Sequence, residues 1–154
     1  MKARDIMTSP VITIRPEAPL IAASALLASH GFTAAPVVDE RHRVIGIVTE
    51  ADLIRDQVPP EGWPRDATRV DRSAVTVGEV MTGSPTSMSP ENDVAEIVSL
   101  MLDSRIRSVP IVDDGELVGI VSRRDILRAV ARGELTSEDV WRRRAGMASH
   151  NRGW

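Results

Sequence analysis

Apolar and polar positions follow one another in a definite order along this chain, which predicts a short series of strands and helices. Residues 11–14 form a β-branched run that stops at Pro16, and this predicts a strand. Apolar side chains then recur at helical spacing until Gly31, which predicts an amphipathic helix ending at this glycine. The apolar positions of that helix are Leu20, Ala23, Leu26 and Leu27.

Two further apolar runs predict a hairpin followed by a second helix. Residues 36–39 lead into a polar turn, and residues 44–48 return from it as the second strand. Helical spacing resumes at about Glu50, and we expect Leu53 and Ile54 on the apolar face of this helix. The predicted order is therefore strand, helix, strand, strand, helix.

The whole series occurs a second time, which indicates an internal repeat. A shift of 74 positions brings Pro36 onto Pro110. One residue is lost in the hairpin turn, and a shift of 73 then brings Asp52 onto Asp125. In the second copy the predicted strands cover residues 111–113 and 117–121. Its helical apolar positions are Val94, Ile97, Leu100, Met101, Ile126, Leu127 and Val130.

The repeat suggests how the chain is divided. We expect one repeat at residues 4–58, a Pro-rich linker at 59–75, a second repeat at 76–132, and a helix and tail at 133–154. That C-terminal helix would be capped by Ser137. One copy has too few apolar side chains to bury both faces of its sheet. The two β-α-β-β-α copies are therefore expected to pack about a pseudo-two-fold axis into one mixed α/β (α+β) module.

Composition excludes several classes of protein. The 154 residues include no cysteine, which excludes disulfides and thiolate chemistry. The formal net charge is −3, which gives no overall attraction to nucleic acid or to an anionic membrane. No apolar run approaches the roughly 20 residues of a membrane span, and the first residues lack a signal-peptide core. We therefore expect a cytoplasmic protein.

A hydroxyl and a carboxylate recur at each predicted junction between a strand and a helix. Thr49 precedes Asp52 by three residues, and Ser122 precedes Asp125 in the same way. One interpretation is a helix capping box, which stabilises the helix by about 1 kcal/mol. The other is a ribose-phosphate site, because a helix N-terminus binds anions and a carboxylate can accept from two ribose hydroxyls. The pattern alone leaves both interpretations open.

The two copies resemble cystathionine-β-synthase (CBS) domains, which occur as tandem pairs. The shared features are the Met-Thr dipeptide, the Pro-Val-Val-Asp strand and the Gly-Ile-Val-Ser/Thr-x-x-Asp junction. The resemblance covers residues 4 to about 132. It implies a regulatory module without catalysis that binds AMP, ADP or ATP in a cleft between the repeats and that pairs into a homodimer. No cofactor is expected to be required.

The resemblance also implies which residues form the binding site. The adenine pocket would be lined by residues near the two Met-Thr dipeptides, although both methionines suit a hydrophobic core equally well. Threonine or arginine would face the phosphate before the second strand, and the Ser/Thr-x-x-Asp pairs would contact phosphate and ribose. The implied residues are Met7, Thr8, Ile12, Thr33, Thr49, Asp52, Met81, Thr82, Thr86, Arg107, Ser122, Arg123, Arg124 and Asp125.

Charge distinguishes the two implied sites. Arg123 and Arg124 follow Ser122, with Arg107 nearby if the alignment holds, whereas Glu50 follows Thr49. A charge-assisted bond to phosphate contributes roughly 1–3 kcal/mol. We therefore expect the second site to bind a phosphorylated nucleotide and the first to be empty or to bind an uncharged adenosine group. Alternatively, the two arginines belong to a solvated helix face.

Other functions have less support in the sequence. His30, His42 and His150 lack the spacing of a metal site, and no catalytic constellation is present. The arginines at 142–144 could contact nucleic acid, but in a net acidic chain they more simply belong to the last turn of a helix. Two alternatives remain open: a ligand-free dimerisation or scaffold module, and a binder of S-adenosylmethionine or a dinucleotide.

Overall fold

The computed structural model describes residues 1–57, 61–62, 75–135 and 142. Most of the expected linker and the expected C-terminal helix, with its Ser137 cap, lie outside the described residues. The helices are α1 (Ala3–Ile6), α2 (Leu20–His30), α3 (Glu50–Gln57), α4 (Val77–Val80), α5 (Val94–Ser104) and α6 (Arg123–Ala131). The strands are β1 (Ala34–Val38), β2 (Val44–Thr49), β3 (Thr82–Gly83), β4 (Ser108–Asp113) and β5 (Glu116–Ser122). The mixed α+β class and the two-repeat organisation are confirmed.

The chain forms two compact units whose boundaries differ from those of the sequence repeats. One unit is continuous and runs from Ile12 to Pro85. The other combines Met1–Val11 with the described residues from Thr86 onward. We call them the continuous unit and the split unit. Each unit therefore takes its hairpin from one repeat and its Met-Thr dipeptide from the segment that begins the other.

The continuous unit is built on an antiparallel hairpin. β1 pairs with β2 from Ala34↔Thr49 to Val38↔Val44, with an irregularity at Val37/Val38, and β3 pairs with the other edge of β2. α2 ends at Gly31, whose φ of 64° is a left-handed conformation that glycine adopts without steric cost. The core of this unit consists of Ile14, Leu20, Ala23, Leu27, Ala35, Val37, Val48, Leu53 and Val77.

The split unit has the equivalent hairpin. β4 pairs with β5 from Ser108↔Ser122 to Asp113↔Glu116, with the irregularity at Ile111/Val112. The N-terminal segment is attached beside α5, because Val94 N–H donates to the Met1 carbonyl at 3.0 Å and Ala3 N–H to the Asn92 carbonyl at 2.8 Å. The main core cluster consists of Ala3, Ile97, Met101, Val109, Ile111 and Val121.

The prediction of a strand at residues 11–14 is wrong. Only Ile14 pairs there, as a single parallel bridge to Val37, and Met88 makes the equivalent bridge to Ile111. Proline explains the short pairing, because Pro16 closely follows Ile14 and has no N–H to continue a ladder. Each unit also contains a short helix, α1 or α4, that the apolar pattern does not predict.

The two short helices have a local sequence signal. Around α4, Thr76 N–H donates to Glu79 Oε2 at 2.7 Å, and around α1, Lys2 N–H donates to Asp5 Oδ2 at 2.7 Å. The Thr76-x-x-Glu79 pair is a capping box that could have been identified from sequence. A helix of four residues has no room for an apolar repeat, so hydrophobic spacing alone could not have found it.

The expected apolar face of α3 is correct for one residue and wrong for its neighbour. Leu53 is buried, whereas Ile54 is 60% exposed. Consecutive helical residues point about 100° apart, and α3 packs through the side that carries Leu53, which leaves Ile54 facing outward. In α6, Leu127 occupies the position equivalent to Ile54 and is 66% exposed, and Val130 is 48% exposed. Each repeat thus leaves the same apolar position facing outward.

A glycine in each returning strand makes room for a methionine from the other repeat's beginning. A Cβ at Gly119 would overlap Met7 Sδ and would lie 2.8 Å from Met7 Cγ and 3.1 Å from Met7 Cβ. A Cβ at Gly46 would overlap Met81 Sδ and would lie 3.0 Å from the Thr82 carbonyl oxygen. The missing side chain therefore lets the Met-Thr segment lie directly on the strand.

We predict that Gly119→Ala destabilises the protein by about 1–3 kcal/mol, because an added methyl group forces Met7 out of its position. Thermal unfolding would measure the effect. Met7→Ala in the same chain should recover part of the loss, since it removes the atoms that collide. Equal losses from Gly119→Ala with and without Met7→Ala would contradict this packing.

Candidate functional site

In each unit the strand-to-helix junction forms a complete capping box. Thr49 N–H donates to Asp52 Oδ2 at 3.0 Å, and Asp52 N–H donates back to Thr49 Oγ1 at 3.2 Å. Ser122 N–H donates to Asp125 Oδ2 at 2.7 Å, and Asp125 N–H donates to Ser122 Oγ at 3.3 Å. The structure therefore contains the capping boxes that one interpretation of the motif predicts. It places both carboxylates in the first turn of a helix, where the partial positive charge favours them.

The Asp125 carboxylate is fully occupied. Oδ2 accepts from Ser122 N–H and also from Ser122 Oγ–H at 2.8 Å. Oδ1 accepts from Thr8 Oγ1–H at 3.1 Å and from Arg128 Nη1 at 3.3 Å. The side chain is only 4% exposed. Because a carboxylate has about four acceptor positions, its capacity is used by these four donors.

The Asp52 carboxylate is less occupied. Its Oδ2 accepts from Thr49 N–H, and its Oδ1 lies 3.6 Å from Arg55 Nη1, which is an ion-pair distance and too long for a good hydrogen bond. The side chain is 10% exposed. Arg55 and Arg128 occupy equivalent positions of the two repeats, each three residues after its aspartate. Within the described residues, Asp52 thus accepts fewer hydrogen bonds than Asp125 does.

The residues before β1 and β4 reach the same helix N-termini. The Thr33 carbonyl accepts from Glu50 N–H at 3.0 Å, and the Arg107 carbonyl accepts from Arg123 N–H at 3.0 Å. These bonds hold each residue beside the first turn of its helix. The side chain that follows the strand carries opposite charge in the two units, acidic in Glu50 and basic in Arg123.

The arginines of the split unit are available to an anion. Arg107, Arg123 and Arg124 are all exposed. This is compatible with a solvated helix face and with a phosphate site, so exposure alone does not decide between these interpretations. The continuous unit has exposed Thr33 and Glu50 in the equivalent places.

The structure divides the sequence-predicted residues between the units. The split unit contains Met7, Thr8, Thr86, Arg107, Ser122, Arg123, Arg124 and Asp125, and the continuous unit contains Ile12, Thr33, Thr49, Asp52, Met81 and Thr82. The Thr8–Asp125 bond and the Thr8↔Ile120 bridge bring the first Met-Thr dipeptide to the second junction. Ile12 is half-buried and Thr86 is exposed; within the described part of the chain, neither hydrogen-bonds to an aspartate of the motif.

Sequence reasoning missed Arg128 and the hollow at Gly119, which is the space that the missing side chain of Gly119 leaves for Met7. Arg128 lies one helical turn after Asp125, and this spacing is the signal that could have identified it. The close approach of Met7 to Gly119 joins residues far apart in sequence, so no local pattern could indicate it.

Comparison with known proteins identifies the repeats. A family model described as the CBS domain matches residues 3–58 and, separately, residues 77–132. The chain belongs to the CBS-domain family. The resemblance seen in the sequence is thereby confirmed, including its occurrence as a tandem pair.

Relatives of this CBS pair include one uncharacterized protein and two ligand-bound structures. The protein MK0525 of Methanopyrus kandleri is 32% identical over 125 residues, which cover 80% of this chain and 60% of that relative. CBSX2 of Arabidopsis thaliana, solved in complex with AMP, is 25% identical with a TM-score of 0.72, covering 87% of this chain and 98% of that chain. The CBS pair of MJ0100, solved with 5′-methylthioadenosine and S-adenosyl-L-methionine, is 27% identical with a TM-score of 0.71, covering 86% and 98%.

The described residues show neither a metal-binding cluster nor a membrane-spanning helix. No cluster of three or more histidine, aspartate or glutamate side chains with metal-binding geometry occurs within residues 1–57, 61–62, 75–135 and 142. Among the helices that the structure describes, none has the length and apolar character required to span a membrane.

We predict that Ser122→Ala destabilises the CBS pair by about 1 kcal/mol, because α6 loses its cap and Asp125 loses a donor. Chemical denaturation would measure the difference. Ser87→Ala provides a control, since Ser87 is exposed and precedes the core bridge at Met88. Equal stability of the two variants would show that the capping box contributes little.

Proposed function

We propose that this CBS pair is a non-catalytic regulatory module that binds an adenosine-type nucleotide, AMP, ADP or ATP, at the strand-to-helix junctions. The observation that carries the proposal is the repeated placement of a carboxylate in the first turn of α3 and α6. In each unit this carboxylate lies at a helix N-terminus beside a Ser or Thr hydroxyl. Such a set can bind vicinal ribose hydroxyls and a phosphate together.

The basic residues support a preference of the split unit for phosphate. Arg107, Arg123 and Arg124 lie around the first turn of α6, where the helix dipole also favours an anion. Glu50 would repel a phosphate at the equivalent place in α3. The continuous unit therefore suits an uncharged or cationic adenosine group. The MJ0100 pair, which holds 5′-methylthioadenosine and S-adenosyl-L-methionine, makes this second ligand class a specific candidate for Asp52.

Membership of the CBS-domain family supports the proposal of a non-catalytic role. The chain's similarity to MK0525 covers only 60% of that relative's length, so what a longer protein does with the module is also part of the proposal. Ligand binding would regulate a partner only if the ligand prefers one conformation of the pair. A cytoplasmic location stays a prediction from the sequence.

We predict that Asp125→Asn weakens AMP binding by roughly ten- to a hundredfold, because hydrogen bonds to a charged group contribute about 1.5–3 kcal/mol and each 1.4 kcal/mol is tenfold in affinity. Isothermal titration calorimetry would measure this. Asp52→Asn should change AMP affinity less and 5′-methylthioadenosine affinity more.

Asp113→Asn is the matched control, since it removes the same charge from the exposed end of β4 in the same unit. Its AMP affinity should equal that of the unmodified protein. Thermal shift adds a second measurement, because ligand at 100 times Kd stabilises by about 2.7 kcal/mol. Absence of binding by any adenine nucleotide would favour the ligand-free scaffold instead.

We also propose that the protein forms a homodimer through its outward-facing apolar helix positions. Ile54 and Leu127 are equivalent in the two repeats, and both are mostly exposed. Leu102 and Val130 add exposed apolar area on α5 and α6. Repeated large apolar side chains on a surface indicate a protein interface.

We predict that Leu127→Glu shifts the protein from dimer to monomer, because a charge cannot be buried at an apolar interface without a large cost. Light scattering after size exclusion would measure the mass. Glu116→Gln serves as a control on an exposed position of the same unit. A monomeric unmodified protein would contradict the dimer, while leaving nucleotide binding unaffected.

A further inference from the structure

The two equivalent carboxylates differ in how much a ligand must displace. Among the described residues, Asp52 accepts one hydrogen bond, from Thr49 N–H, whereas Asp125 already accepts from Ser122 N–H, Ser122 Oγ–H, Thr8 and Arg128. The Ser122 bonds belong to the helix cap and the Arg128 bond lies within α6. Of these four bonds, the Thr8 bond alone comes from outside β5 and α6.

Thr8 is held at Asp125 by its own backbone. Its N–H donates to the Ile120 carbonyl at 2.9 Å, and its carbonyl accepts from Ile120 N–H at 3.1 Å. Met7, the preceding residue, fills the hollow at Gly119. The hydroxyl is therefore positioned at Oδ1 before any ligand arrives, and it bonds to a carboxylate that is almost fully buried.

We propose that the Thr8 hydroxyl is an internal competitor for the Asp125 carboxylate and so determines ligand affinity at the split unit. A ribose hydroxyl that bonds to Oδ1 takes the acceptor position that Thr8 occupies. The Thr8 side chain must then rotate away, and the N-terminal segment loses one of its attachments. This inference rests on the proposed function, because it assumes that ribose binds Asp125.

The competition makes the N-terminal segment sensitive to the ligand. Binding at Asp125 weakens the pairing of Thr8 with Ile120, and loosening of that pairing in turn favours binding, because coupling between two sites is reciprocal. Asp52 has no equivalent competitor: within the part of the chain that the structure describes, Thr82, the equivalent of Thr8, does not hydrogen-bond to that carboxylate.

Calorimetric titration of AMP into chains that carry Asp52→Asn isolates the Asp125 site. Adding Thr8→Val removes the hydroxyl at nearly constant volume and should tighten AMP binding on the order of tenfold, since the competing bond to a charged group is gone. Thr8→Ser retains a hydroxyl and should keep the affinity of the Asp52→Asn chain. Thr13→Val is a matched control outside the site and should also leave it unchanged.

Hydrogen exchange gives a second measurement that does not depend on affinity. In the unmodified protein, AMP should speed the exchange of the Thr8 and Ile120 amides, and Thr8→Val should speed it without ligand. The inference is overturned if adding Thr8→Val leaves the AMP affinity of the Asp52→Asn chain equal or makes it weaker. It is also overturned if AMP slows exchange at these amides. Either result leaves the proposed function standing. Failure of AMP to bind any of these chains overturns both.

Discussion

Close approach of a methionine to a glycine in the returning strand is the contact on which each unit depends. A two-stranded hairpin leaves the outer edge of both strands unpaired, including that of the returning strand, and such a hairpin alone is marginally stable. The Met-Thr segment covers that strand, as β3 beside β2 in the continuous unit and as the Thr8↔Ile120 bridge in the split unit. Because the covering segment begins the other repeat, neither repeat is complete by itself.

The same contact assembles the candidate site. Met7 in the hollow at Gly119 carries Thr8 to Asp125, a residue 117 positions later in the chain. The carboxylate then serves two purposes that draw on the same oxygen atoms. Its cap bonds at Oδ2 stabilise α6, and under the proposed function a ribose would use Oδ1, which Thr8 and Arg128 now occupy. Stability and the proposed binding are therefore linked at Asp125 more tightly than at Asp52, whose carboxylate accepts fewer hydrogen bonds from the described residues.

Much of the fold could be predicted because its signals are local. The end of α2 at Gly31, the two hairpins and the start of α6 after Ser122 all follow from spacing, turn residues and a capping pair. The strand at residues 11–14 was wrong because β-branched composition does not provide a neighbour to pair with. Ile54 was misplaced because helical spacing identifies an apolar arc but not which side of it meets the sheet.

The residues of the candidate site stay a prediction, but some of their contacts follow from the sequence. The repeated Ser/Thr-x-x-Asp motif indicated the two capping boxes, whereas Thr33 and Arg107, expected to face a phosphate, are seen to bond through their carbonyls to the first N–H of each helix. Saturation of Asp125 could not be predicted, since it depends on Thr8 reaching across the chain and on Arg128 turning back along α6. The sequence distinguishes the two sites by the charge of neighbouring residues. The number of hydrogen bonds that each aspartate accepts becomes visible only in the folded structure.

If ribose binds Asp125 as proposed, charge and occupancy act in opposite directions on ligand affinity at the split unit. The three arginines favour a phosphorylated ligand, while Thr8 lowers the apparent affinity of every ribose that needs Asp125. An internal competitor reduces the affinities for adenosine and for its phosphates by the same factor, so it leaves their ratio unchanged. As the competitor raises both apparent Kd values, however, the Kd of the ligand with lower affinity is the first to exceed a given ligand concentration. Under the proposed function, Thr8 thus sets a threshold that a phosphate bound by arginine can exceed and an uncharged adenosine cannot.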